Sequence, residues 1–72
     1  MGNIIKGKAN KNGTIYCELI CLNKKGMKYY QAKVFRTIDF KEYIEIYKSY
    51  PSTNKIEATN TYVKYCEKYL RN

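Results

Sequence analysis

The chain has no histidine and no tryptophan, and only one proline (Pro51) and one aspartate (Asp39) in 72 residues. Without histidine, the commonest general base near neutral pH is missing. There is also no glycine-rich phosphate loop, no nucleophile motif and no cluster of Cys, Asp or Glu at metal-ligand spacing. A chain this short buries only roughly 60% of its unfolded surface, which leaves room for one thin core and no deep cleft. These absences argue against an enzyme, and no cofactor is expected. No apolar run approaches the ~20 residues of a membrane span, and Met1 to Lys8 lacks the apolar core of a signal peptide. The expectation is a cytoplasmic protein with no membrane partner, folded as one small domain over residues 1–72.

Three cysteines, Cys17, Cys21 and Cys66, are an odd number without CxxC spacing. On a strand, Cys17 and Cys21 lie roughly 13 Å apart, beyond the ~7 Å limit of a disulfide. Reduced thiols acting as small hydrophobes are the reading, with a bridge from Cys66 to a strand cysteine as the alternative.

Lysine, asparagine, isoleucine and tyrosine make up half of the chain, and lysine outnumbers arginine 12 to 2. All four have A/T-rich codons, which points to a low-GC bacterium, its phage or another mobile element. That bias alone raises lysine, so a net charge of +8 weakly signals nucleic acid. Its distribution says more. Residues 1–36 hold eight basic groups and one acid (Glu18), whereas residues 37–72 hold six basic groups and five acids. Codon usage does not explain that asymmetry.

Asn3 to Ala9 reads as a strand, followed by two turns of one form, Asn10-Lys11-Asn12-Gly13 and Asn23-Lys24-Lys25-Gly26. Asparagine can bond back to its own backbone and glycine takes the left-handed conformation, so each closes a hairpin. The result is a three-stranded antiparallel meander. With Leu22 opposite Met27, one face of the Thr14–Phe35 hairpin carries Ile15, Cys17, Leu19 and Cys21 against Val34, Ala32, Tyr30 and Lys28. This is the core face. The other carries Thr14, Tyr16, Glu18 and Ile20 against Phe35, Lys33, Gln31 and Tyr29, and should be wetter.

Two helices are expected next. Asp39 caps the first, Glu42 completes a capping box, and Phe40, Tyr43, Ile44 and Tyr47 form its buried stripe until Pro51 ends it. Asn54 with Glu57 caps the second, whose stripe is Ile56, Thr59, Val63, Cys66 and Leu70, flanked by Tyr62, Tyr65 and Tyr69. Thr59-Asn60-Thr61 are poor helix formers, so residues 55–61 read as helix or extended chain. The predicted fold class is α+β: a three-stranded antiparallel meander packed on one face by two C-terminal helices. In architecture, a meander followed by a helix, residues 12–50 resemble the small arm-site DNA-binding domains of phage and transposon integrases, and also AP2-type domains.

The candidate binding surface is the sheet face opposite the core. Tyr16, Tyr29, Gln31 and Lys33 lie on it, Lys24 and Lys25 cap its turn, and Arg36 closes the second strand. Lys6, Lys8 and Lys11 extend it along the first. Lysines neutralise phosphates and tyrosine rings stack on bases, so nucleic acid, DNA in particular, is the first partner expected. The alternative is an interaction protein, such as a phage-encoded inhibitor that blocks a host defence or nucleic-acid-handling enzyme by protein contact. Both monomer and homodimer fit the sequence.

Overall fold

In the computed structural model, which describes residues 3–39 and 41–71, four strands precede one helix. They are β1 (Asn3–Ala9), β2 (Ile15–Lys24), β3 (Met27–Ile38), β4 (Glu42–Lys48) and α1 (Lys55–Tyr69). The strands form one antiparallel sheet in the order β1-β2-β3-β4. The α+β class holds, but a three-stranded sheet with two helices does not.

The first Asn-Lys-x-Gly sequence makes the β1–β2 turn as expected, but in the second only Lys25 and Gly26 turn, while Asn23 pairs with Lys28 within the strands. In the β1–β2 turn, Asn10 Oδ1 accepts hydrogen bonds from the Thr14 and Ile15 amides at 2.8 and 3.1 Å. The Gly13 amide donates to the Asn10 carbonyl at 3.0 Å, with Gly13 at a φ of 71°. The second turn is tighter than expected. Lys24 pairs with Met27, leaving only Lys25 and Gly26 between the strands, at φ 54° and 79°. Two central residues at positive φ mark the turn whose twist matches the right-handed twist of the flanking strands. Leu22 therefore faces Tyr29 rather than Met27. A slip of two residues returns each side chain to its own face, so the predicted division of the hairpin into two faces survives the change.

The segment expected to be the first helix is β4. Tyr43, Ile44, Ile46 and Tyr47 have the branched and aromatic side chains that favour strands, and a short apolar run satisfies a helical and an extended period equally well. Tertiary context decides between them: β4 pairs with β3 from Lys33–Lys48 to Ile38–Glu42, supplying partners to a strand otherwise left as an edge. Asp39 is then no helix cap. It sits at φ 53° in a turn closed by the Lys41 amide donating to the Ile38 carbonyl at 3.1 Å. Tyr43, expected in the core, is 53% exposed. Phe40 lies outside the described residues. With this segment in a strand, the architecture that made residues 12–50 resemble integrase arm-site domains is lost. Pro51 follows a strand, between Ser49, whose amide donates to the Ala32 carbonyl, and Ser52, which bridges to Tyr30.

The second predicted helix is α1, and it includes residues 55–61. Asn54 caps it as expected, its Oδ1 accepting from the Ile56 and Glu57 amides at 3.0 and 3.1 Å. The buried stripe is rotated from the expected one. Ala58 and Tyr62 are buried, with Tyr65, Cys66, Tyr69 and Leu70 packed beside them, while Ile56 is 74% exposed. The sheet beneath accommodates the rotation, because Cys17 and Ala32 are small and Ala58 and Tyr62 join them in one cluster. Tyr69 also stacks on Tyr47 of β4, with centroids 5.1 Å apart.

Leu19 is the largest side chain in this core without solvent exposure. Leu19→Ala is expected to cost about 2–5 kcal/mol, a large part of the stability of a small domain, and to lower the urea midpoint accordingly. All three cysteines are free thiols. Burial, reinforced by neighbouring Cys66, pushes the Cys17 thiol up to about 12, so it stays protonated at pH 8. Iodoacetamide at that pH should modify half-buried Cys21 and Cys66 first, and reach Cys17 only in denaturant, as peptide mapping would show.

Candidate partner-binding face

Because α1 packs on the Cys17–Leu19–Ala32–Val34 side, the other face of the sheet carries no helix, although Ile20 and Gln31 on it are buried and the chain from Ser49 to Pro51 lies against Gln31. Residues opposite one another in antiparallel strands share a face. The pairs Tyr16–Phe35, Glu18–Lys33, Ile20–Gln31 and Leu22–Tyr29 therefore all lie on this bare face, together with Ile4 of β1 and Tyr43 and Glu45 of β4.

The ten residues singled out in the sequence do not converge there. Tyr16, Tyr29, Gln31 and Lys33 share the face as expected, with Lys24 at its far end and Lys25 at the tip of the turn. Lys6 and Lys8 pair with Leu19 and Cys17, which places them on the helix side. The cause is an irregularity between Ile4 and Lys6: the extra residue Ile5 reverses the alternation that would have put Ile4, Lys6 and Lys8 together. Arg36 alternates with Val34 and also faces the helix side. Lys11 is exposed in the first turn. Gln31 is buried, and its Nε2 donates to the Ser49 carbonyl at 2.7 Å, tying β3 to the end of β4. Lys33 Nζ lies 3.1 Å from Glu45 Oε1, with Glu18 opposite on the neighbouring strand.

Aromatic side chains dominate the middle of the face. The Tyr16 ring lies 6.3 Å from Phe35 and 5.9 Å from Tyr43, tilted by 39° and 56°. With Glu18, these three rings line a shallow pocket of about 240 Å³. Both tyrosine ends have defined surroundings. Tyr43 reaches across β3 and donates its hydroxyl to the Gly13 carbonyl at 3.3 Å. The Tyr16 hydroxyl occupies the space that a side chain at Gly7 would fill. Burial pushes the Glu18 carboxyl above its usual range, Lys33 works against that shift and Glu45 adds to it. Burial, then the charge of Glu18, likewise raises the Tyr16 hydroxyl.

Sequence reasoning missed Phe35, Tyr43 and Glu18 as site residues. Phe35 and Glu18 were already on the correct face. Tyr43 was hidden by the helical reading, although the alternation of Tyr43 and Glu45 with Ile44 and Ile46 was available as a signal; Tyr47 departs from it, because the irregularity opposite Val34 and Phe35 turns it to the helix side. Among the described residues no group of three or more metal-ligating side chains could hold an ion, and no helix is long and apolar enough to cross a membrane. Set against protein-family models, curated proteins and solved structures, the chain matches none of them.

The close approach of Tyr16 to β1 is testable. A methyl group at Gly7 collides with the Tyr16 hydroxyl and ring, so Gly7→Ala should swing the ring away while leaving the helix-covered core intact. Tyr16 ring NMR shifts should change, and those of Tyr62 should stay constant.

Proposed function

We propose that the chain is a small non-catalytic binding protein that docks a protein partner on its bare sheet face. The observation that carries this reading is the aromatic group Tyr16, Phe35 and Tyr43, which lines an open pocket on the face that the helix leaves uncovered. Aromatic side chains are enriched at the centres of protein interfaces, where they supply contact area at low entropy cost, and lysine is depleted there. The charge on the face supports the same reading. No lysine or arginine lines the aromatic pocket, and Lys33 beside it is engaged by Glu45 and faces Glu18, an arrangement that does not favour phosphate at this point.

Nucleic-acid binding is a second reading, favoured by a separate place in the molecule. Lys24, Lys25 and Lys28 surround the β2–β3 turn, and no acidic residue occurs between Glu18 and Asp39. Leu22, Met27, Tyr29 and Pro51 line a hollow beside Lys24 and Lys25. A basic hairpin tip of this kind can enter a duplex groove as a β-ribbon.

Affinity capture from a nuclease-treated lysate separates the two. A partner retained after nuclease, weakened about tenfold or more by Tyr43→Glu and unaffected by Lys64→Glu on the exposed side of α1, is the expected outcome. Loss of the partner on nuclease treatment, together with salt-sensitive oligonucleotide binding abolished by reversing the charges of Lys24 and Lys25, would transfer the function to the hairpin tip.

A further inference from the structure

The pocket on the bare face has a chemistry narrower than that of an apolar docking surface. Of the four residues that line it, three present aromatic rings and Glu18 contributes the single carboxyl group. An aromatic ring carries negative charge on its face and attracts a cation within about 6 Å of its centroid. Centroid separations of 5.9 and 6.3 Å, with the rings tilted rather than stacked, leave a cation room to touch more than one of them. The volume, about 240 Å³, is below the roughly 300 Å³ at which pockets begin to hold drug-sized ligands, so a small head group fits and a nucleotide does not. The rings are also held before any ligand arrives, Tyr43 by its bond to Gly13 and Tyr16 by its seat over Gly7.

We propose that this pocket receives the basic side chain of the partner protein, with the cation against Tyr16, Phe35 and Tyr43 and with Glu18 as its counter-ion. The inference rests on the protein-docking reading and specifies its anchor. A lysine or arginine suits the site in both parts, because its alkyl stem packs on ring surface while its head seeks a carboxylate.

A protein of net charge +8 can take a cation here because the local balance differs from the global one. Lys33, the nearest lysine in the register, is already bonded to Glu45. Lys48 lies opposite Lys33 on β4, two strands from Glu18 and so roughly 10 Å away. Lys24 and Lys25 are eight or more residues along the hairpin from Tyr16, roughly 26 Å, well beyond a Debye length of about 8 Å at physiological ionic strength. An anionic partner, by contrast, meets the Glu18 carboxyl inside the pocket itself.

The probe is N-acetyl-lysine methylamide, titrated into the full chain and followed by the ring resonances of Tyr16, Phe35 and Tyr43. N-acetyl-norleucine methylamide, which has the stem without the charge, is the control. We expect the lysine compound to shift these rings at millimolar concentration and the norleucine compound to bind several-fold more weakly. Glu18→Gln, which keeps the shape of the side chain, should weaken the lysine probe about two- to fivefold and leave the norleucine probe unchanged. Phe35→Leu should have a similar effect on the lysine probe. Equal binding of the two probes, indifference to Glu18→Gln, or a stronger response to N-acetyl-glutamate methylamide would overturn the proposal. Silent rings combined with a captured partner that still depends on Tyr43 would remove the cation anchor and leave the docking face in place. Ring shifts by lysine, without any partner that depends on Tyr43, would do the reverse.

Discussion

One fifteen-residue helix has to cover a four-stranded sheet, and most of the molecule's surface chemistry follows from that mismatch. A helix with its side chains is about 10–12 Å across, whereas four strands at about 4.8 Å spacing span roughly 19 Å. The helix can therefore shelter the two central strands on one side and little else. The burial pattern shows this directly: the residues with no exposure are Cys17 and Leu19 of β2 and Ala32 and Val34 of β3, while all seven residues of β1 and all seven of β4 are exposed. The edges and the second face remain to be explained by something other than the core.

The edges are managed differently. β1 carries lysines and an irregularity at Ile5, both of which discourage another strand from adding on. β4 is more apolar, but it is irregular too, opposite Val34 and Phe35, and the Lys33–Glu45 ion pair engages one of its acids. The bare face is left with aromatic rings held by a glycine on one side and a turn carbonyl on the other. Their arrangement needs no layer above it to be defined, which is what a pre-formed contact surface requires.

The parts legible from the sequence were those set by neighbours in the chain. Asn10 and Gly13 specify the first turn, Lys25 and Gly26 the second, and Asn54 the start of α1, each through hydrogen bonds or φ angles spanning a few residues. The alternation in β2 and β3 gave the correct division of faces even though the pairing was displaced by two residues, because such a displacement preserves side. Residues 42–48 were misread because their apolar spacing suits both periods, and the choice falls to the partner strand β3. The site was half legible for a related reason. Tyr16, Tyr29, Gln31 and Lys33 were assigned to the right surface, while Tyr43 arrives from β4 and Lys6 and Lys8 are turned away by one extra residue.

By itself, then, the sequence determined the hairpins, the capped C-terminal helix and the side of the central strands that becomes core, since those depend on backbone preferences and on a two-residue period. Tertiary structure decided that a fourth strand replaces a helix, that tyrosines rather than Ile56 and Val63 of α1 face the sheet, and that the basic half of the chain is divided between two surfaces. Those outcomes depend on which segments compete for the same unpaired backbone groups and the same space above small residues, and no local stretch of the chain contains that information.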